Sequence, residues 1–450
     1  MKTLPLALIA LLAAPAAAAP APAPGDVAWT LVEGLTTEVG QRLAGTEAEA
    51  RGRAWAAKAL KALGFANVRI EPFDMRVWER GTETAEILSP FPQRLLLTAL
   101  GNSAATPADG LEGEIAGFDG LAALEAAPDA AVRGKIVFVW HRMGRTQDGS
   151  SYGPFGDVRR KGPSLAARKG AAAIVIRSIG TGDARMPHTG VQTWEKGVRP
   201  IPAAALATQD SDQLERILAR GKPVRMRLVL TPRDGGIRQS GNVIAEVPGR
   251  DPKAGIVLIG GHLDSWDLGT GAVDDGAGVA ITAAAAKAIM DKGRPLRTIR
   301  VVWFGAEEVG GFGGDSYRDR HKAEKHVLAA ESDFGAGRVW RFDTRVGDGE
   351  APLVKAVAAA LTPLGIARGN NEGHAGTDVE PIIYANRVPA IGLRQDGTHY
   401  FDLHHTPDDT LDKIDRADLA QNVAAWATML SLVANSPEEL APRAAETPTR

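Results

Sequence analysis

The residues Gly260-Gly261-His262-Leu263-Asp264 follow directly on an apolar run, 255–259, and the pair Asp274-Asp275 comes twelve residues after His262. An imidazole and nearby carboxylates at a strand end are groups that can hold a divalent cation. The chain has no cysteine, so His, Asp and Glu must supply any metal ligands, and that set suits zinc and harder ions. Three further apolar runs also lead towards ligand-type residues. The run 301–304 is followed by Glu307-Glu308, 327–330 by Asp333, and 388–393 by a stretch containing His404-His405. His374 lies before the last of these runs.

Two metals held close together need a shared ligand. A carboxylate is the available side chain that can bridge, and Asp274 is placed for it. His262 and Asp333 can then serve one ion, Glu308 and His405 the other, each ion keeping a position for water. Three carboxylates against two divalent ions leave one positive charge, which a hydroxide neutralises. Neighbours on an extended segment point opposite ways. If Glu308 is a ligand, Glu307 is free to take a proton from that water and deliver it to a leaving amine. Asp264, two residues past His262, could accept the imidazole N–H and fix its tautomer. Two inward-facing carboxylates at Asp274-Asp275 suggest an unusual backbone, such as a cis peptide, and leave the part of Asp275 unexplained. The glycines around this pair lack the Lys-Ser/Thr of a P-loop and the G-x-G-x-x-G spacing, which argues against nucleotide binding.

Strand-like runs at 242–247, 255–259, 298–304 and 388–393 alternate with helix-like stretches at 279–290, 314–319, 353–361 and 419–433. That alternation predicts an α/β fold with a largely parallel sheet covered on both faces, and sites at the carboxyl ends of its strands. Composition shifts near Pro90 and Pro92. From 93 to 233 short strand candidates alternate with Gly/Pro-rich loops and helices at 163–169 and 211–220, which predicts an inserted smaller α/β domain. The reading is a first segment of the main domain at 25–92, the insert at 93–233, a catalytic segment of the main domain at 234–436 and a flexible tail at 437–450.

With 52 basic and 54 acidic residues among 450, the chain has no overall field that would favour nucleic acid or anionic membranes. Lys2, an apolar run at 4–12 and small residues at 13–19 predict a signal peptide over 1–19. The apolar run is too short for a membrane anchor. The expectation is an exported protein, periplasmic or extracellular, with oligomeric state left open.

The stretches GGHLDSWDLGTGAVDDGAG, WFGAEEVGGFGG, ESDFGA and YFDLHHTPDDT together resemble the M28 family of zinc peptidases. The likeness extends to members with an inserted protease-associated domain, such as carboxypeptidase Q-like dipeptidases and bacterial M28 aminopeptidases. GKIVFV and KGAAAIVI in the insert resemble that domain. The resemblance implies a mixed, mostly parallel sheet between helices and two zinc ions per chain. It implies His262, Asp274, Glu308, Asp333 and His405 as ligands, Glu307 as general base and Asp264 behind the first histidine. His405 is preferred to His404 because the family's ligand precedes Ser/Thr, here Thr406. The family commonly has a cis peptide at the Asp-Asp pair. His374 matches the place of a carbonyl-polarising tyrosine in single-domain members, where an imidazole could donate to an oxyanion. The implied activity is hydrolysis of short peptides, by an aminopeptidase or dipeptidase. The alternatives are carboxypeptidase-type specificity, a glutaminyl cyclase or a non-catalytic binding protein; the complete ligand set argues against the last two.

Overall fold

The computed structural model describes residues 23–444. The expected signal peptide and the last part of the expected tail, 445–450, lie outside them.

The apolar runs that lead to the chemistry become adjacent strands. Ile256–His262 lies parallel to Thr298–Phe304 on one side and to His326–Glu331 on the other. All three are buried along nearly their whole length, as strands covered on both faces must be. The full order is Ala66–Glu79, Arg233–Val247, Thr298–Phe304, Ile256–His262, His326–Glu331, Ala390–Gln395, Val339–Arg345, Ala367–Arg368. The sheet is mixed: Ala66–Glu79 and Arg233–Val247 pair antiparallel, as do Val339–Arg345 and Ala390–Gln395. Because the three central strands run the same way, His262, Glu307 and Asp333 emerge at one edge.

Helices close both faces. Ala277–Met290 is buried along most of its length, and its alanines let Pro24–Gly34 and Arg416–Val433 approach closely. On the other face Tyr317, Ile382 and Ile383 pack with Leu258, Val302 and Phe304. The helices that carry them are Phe312–His321 and Glu380–Asn386. Each fully buried aliphatic side chain of this kind contributes about 1.5–3 kcal/mol.

The chain leaves this sheet at Glu79 and returns at Arg233, and those residues are the last pair of the antiparallel ribbon. Between them it builds a second eight-stranded sheet with cores of its own. Helix Tyr152–Arg168 packs Val158, Leu165 and Ala166 on one face, and Thr208–Leu218 packs Leu214 and Ile217 on the other.

Three details differ from the sequence expectation. Glu83–Ser89 pairs within the second sheet, not the first; its alternation marks a strand but says nothing of its partners. The helix expected at 163–169 runs from Tyr152, with Pro163 inside it. Gly153, Pro154, Gly156 and Gly162 made that stretch read as loop, since each lowers helix propensity. The part of the tail that is described docks on the body. Leu440 is buried, Gly347 N–H donates to the Ala441 carbonyl, and Arg297 reaches the Ser436 and Glu438 carbonyls.

Candidate metal centre

The strand Ile256–His262 has Gly261 just before its last residue, and a carboxylate lies against it. A Cβ on Gly261 would stand 2.3 Å from Asp275 Oδ2, and one on Gly278 would stand 1.9 Å from the Ser332 carbonyl oxygen. Asp275 fills the gap so created. Its Oδ2 accepts the His262 N–H at 3.0 Å and its Oδ1 the Gly278 N–H at 3.1 Å. The residue without an assigned part in the sequence thus ties the strand end to the start of the buried helix. The Asp274-Asp275 peptide is cis.

Asp274 is held from the far side by Asp409. The Asp409 carboxylate accepts the N–H groups of Val273 and Asp274, at 2.6 and 3.3 Å. Burial and the nearby Asp274 charge push Asp409 up to about 7. Beneath the loop, buried Arg42 donates to the carbonyls of Leu263, Thr270 and Gly271. Sequence reasoning missed both: neither Arg42 nor Asp409 follows directly on an apolar run.

Asp274 lies between two imidazoles. His262 Nε2 is 3.1 Å from Asp274 Oδ1 and 3.5 Å from Asp333 Oδ1. His405 Nε2 is 3.4 Å from Asp274 Oδ2 and 2.9 Å from Glu308 Oε2. On each ring Nδ1 meets a main-chain carbonyl, which can only accept. Nδ1 therefore bears a hydrogen on both rings, which leaves Nε2 as the nitrogen that a cation could take in place of a proton. The carbonyls are those of Asp264 for His262, at 2.9 Å, and Thr189 for His405, at 3.2 Å. His262 would be lowered by burial, but Asp333, Asp274 and Asp275 hold it well above its usual range. His405 is lowered well below by burial, by His404 and by the Arg159 charge.

Asp264 differs from its expected part. Its carboxylate is 3.8 Å from His262 Nδ1, whereas its main-chain oxygen makes the closer contact. The carboxylate instead accepts the N–H groups of Glu307 and Glu308, at 3.1 and 3.3 Å. Ala306, just before them, is left-handed at φ 61°, so this turn needs outside support. Glu308 turns inward and is buried; Glu307 is partly exposed. Burial, and the Asp333, Asp264 and Asp274 charges, raise Glu307 to about 8 against the opposing pull of His262.

A cavity of about 420 Å³ opens on this cluster. Asp274, Glu307, Glu308, Asp333 and His405 line it, together with Tyr400 and His404 and with Tyr152, Arg159 and Arg160 from the second sheet's unit. His374 is not in its wall. That side chain is half exposed and its Nε2 sits 2.6 Å from Glu380 Oε1; the glutamate on the adjacent helix draws it outward. Tyr400 and His404 also stand beside Asp274, with His404 Nε2 3.7 Å from its Oδ2, and sequence reasoning gave neither a part. The His404 ring stacks on His405 with centroids 3.5 Å apart.

The cluster fits a cation better than it fits itself. Buried Asp274 Oδ2 and Glu308 Oε1 have no hydrogen-bond partner, which is costly unless something else satisfies them. Burial raises the carboxyls of Asp274, Asp275 and Glu308 above their usual range. Imidazole and carboxylate are zinc donors, and the sets His262-Asp274-Glu308, His262-Asp275-Asp333 and Asp274-His404-His405 each come close enough to hold an ion.

Comparison with known proteins agrees with this chemistry. The model of peptidase family M28 matches residues 242–430. The chain is 35% identical over 415 residues to carboxypeptidase Q of Bos taurus, covering 91% of this chain and 85% of that one. It is 24% identical over 409 residues to aminopeptidase YwaD of Bacillus subtilis, covering 88% and 81%. The crystal structure of a peptidase M28 precursor from Shewanella amazonensis SB2B superposes with a TM-score of 0.91. Its identity is 49%, and the match covers 94% of this chain and 96% of that one. The zinc aminopeptidase BSAP from Bacillus subtilis shares the fold, with a TM-score of 0.66, 21% identity and coverage of 92% and 96%. The chain belongs to peptidase family M28. It is a metallo-exopeptidase, a hydrolase acting on peptides. No helix among the described residues is long and apolar enough to cross a membrane.

Proposed function

We propose that the chain is an exported dinuclear zinc exopeptidase that cleaves short peptides, as an aminopeptidase or dipeptidase. His262 and Asp333 would hold one zinc, Glu308 and His405 the other, and Asp274 both. The observation behind this reading is Asp274 itself. Its two oxygens face the Nε2 atoms of two imidazoles whose Nδ1 atoms are committed to main-chain carbonyls, and one oxygen is buried without a partner. Export rests on residues 1–19, and the likeness of residues 93–233 to a protease-associated domain remains part of this proposal.

Zinc ions bound here would make a water acidic and polarise the scissile carbonyl. The protein's own groups do the rest. Glu307, partly exposed to the cavity, takes the water's proton and hands it to the leaving amine. Asp264 fixes Glu307 and Glu308 in register through their N–H groups. The Tyr400 hydroxyl and His404 imidazole stand in the cavity wall, where a donor to the developing oxyanion is needed; His374 does not.

One observation favours substrates with a free carboxylate, and so dipeptides or carboxypeptidase-type cleavage. Arg159 is buried and lines the cavity; among the described residues its guanidinium meets the Thr189 carbonyl and the Tyr152 hydroxyl but no carboxylate. A buried cation without an acid is unusual, and a peptide carboxylate would supply one. Free dipeptides, C-terminally blocked dipeptides and aminoacyl anilides, tested as substrates, separate these readings. Turnover of free dipeptides alone supports the carboxylate requirement; equal turnover of anilides restores the plain aminopeptidase. Turnover that survives in Glu307→Gln removes the proposed base.

A further inference from the structure

His405, unlike His262, takes its support from outside the sheet that carries the site. It stands in the left-handed region at φ 62°, a conformation that costs a non-glycine residue about 1–3 kcal/mol and persists only where neighbours impose it. Thr189 imposes it, from the unit built by residues 80–232. The Thr189 N–H donates to the His405 carbonyl at 3.0 Å, and the Thr189 carbonyl accepts from His405 Nδ1 at 3.2 Å. One residue thus clamps both backbone and ring. Beside it, His188 Nδ1 donates to the His404 carbonyl at 2.8 Å.

Thr189 is itself anchored. Its hydroxyl donates to the Ala99 carbonyl at 2.9 Å and accepts from Arg80 Nη2 at 3.1 Å. Arg80 also reaches Asp267, in the loop after His262. Arg159 donates to the Thr189 carbonyl at 3.3 Å.

We infer that the 188–189 segment is a positioning element for the metal centre: it aims His405 Nε2 at Asp274 and Glu308, so that one of the two ions depends on the second unit and the other does not. Groups behind a metal-bound histidine typically change metal affinity 10–100-fold when altered. This inference rests on the two-zinc reading above.

The test titrates zinc-loaded full chain with a competing chelator and follows zinc release, alongside the thermal midpoint. Thr189→Val keeps the side chain's shape and removes both hydroxyl contacts. His188→Leu removes the donor to His404, and His188→Asn can restore it through its amide. The expected result is about tenfold weaker binding of one zinc in Thr189→Val and His188→Leu. The second zinc should be unchanged, and His188→Asn should resemble the parent. The cobalt-substituted variants, once the chelator has stripped the weaker ion, should give the spectrum of one remaining ion, matching that of His405→Ala. Equal weakening of both ions, or a lowered thermal midpoint with both affinities unchanged, overturns the inference. A parent chain that binds fewer than two zinc ions would instead remove the two-zinc reading on which it stands.

Discussion

His262 and His405 offer the same ring nitrogen to Asp274, yet different parts of the chain hold them. His262 ends a central strand. Its N–H is fixed by Asp275 and its Nδ1 by the Asp264 carbonyl, both within the same sheet unit. His405 lies on a loop, with its carbonyl and Nδ1 both held by Thr189 across the boundary with the second unit. The first histidine is held within the sheet unit alone, and the second takes its support from the other unit.

The largest expected effect comes from the half that the sheet holds. Glu307→Gln should lower kcat by about 10²–10⁴-fold while zinc content stays at the parent's value, measured on the same sample. Loss of metal would show that Glu307 serves the cluster as a ligand. Next is Asp275→Ala, which strips partners from the buried N–H groups of His262 and Gly278. It should cost about 2–5 kcal/mol in urea unfolding, whereas Thr189→Val should cost about 1 kcal/mol. Similar losses for the two would erase the difference between the halves.

A pH comparison sharpens it further. Asp409, beside Asp274, and Glu49, beside Arg53, are each pushed up to about 7 in the fold, chiefly by burial. Their unfolded values lie near 4. A raised acid contributes stability that is full below about pH 4 and lost as pH rises through 7. The metal-free chain should therefore lose stability between pH 5 and pH 8, by a few kcal/mol in all. Zinc held by Asp274 would offset the charge that Asp409 feels, so it should flatten the part removed by Asp409→Asn. The part removed by Glu49→Gln should persist, because Arg53 is the main charge near Glu49. Urea midpoints at both pH values, with and without zinc, decide this. The smallest effect is at His374. Because it pairs with Glu380 outside the cavity, His374→Ala should leave kcat/KM within about twofold, a surface change; a hundredfold loss would return it to the site.

The same contrast explains what could be read from the sequence. The sheet-held half was legible because apolar runs announce strands, and residues past the ends of parallel strands converge. His262, Asp274, Glu308 and Asp333 follow from that, and the glycines around them mark where Asp275 presses on the backbone. The parts that were not legible come from tertiary docking. Thr189 acts through its main chain, which leaves no trace in residue type. Arg42 and Asp409 satisfy loop carbonyls and N–H groups, and nothing local distinguishes them from surface charges. His374 was misplaced because sequence position near the site does not say which way a loop side chain turns.

Zinc-edge anomalous diffraction from crystals of the zinc-loaded full chain tests the central claim most directly. Two peaks about 3.5–4 Å apart are expected, one between His262 and Asp333, the other between Glu308 and His405, with Asp274 reaching both. A single peak, or peaks away from Asp274, would contradict the account.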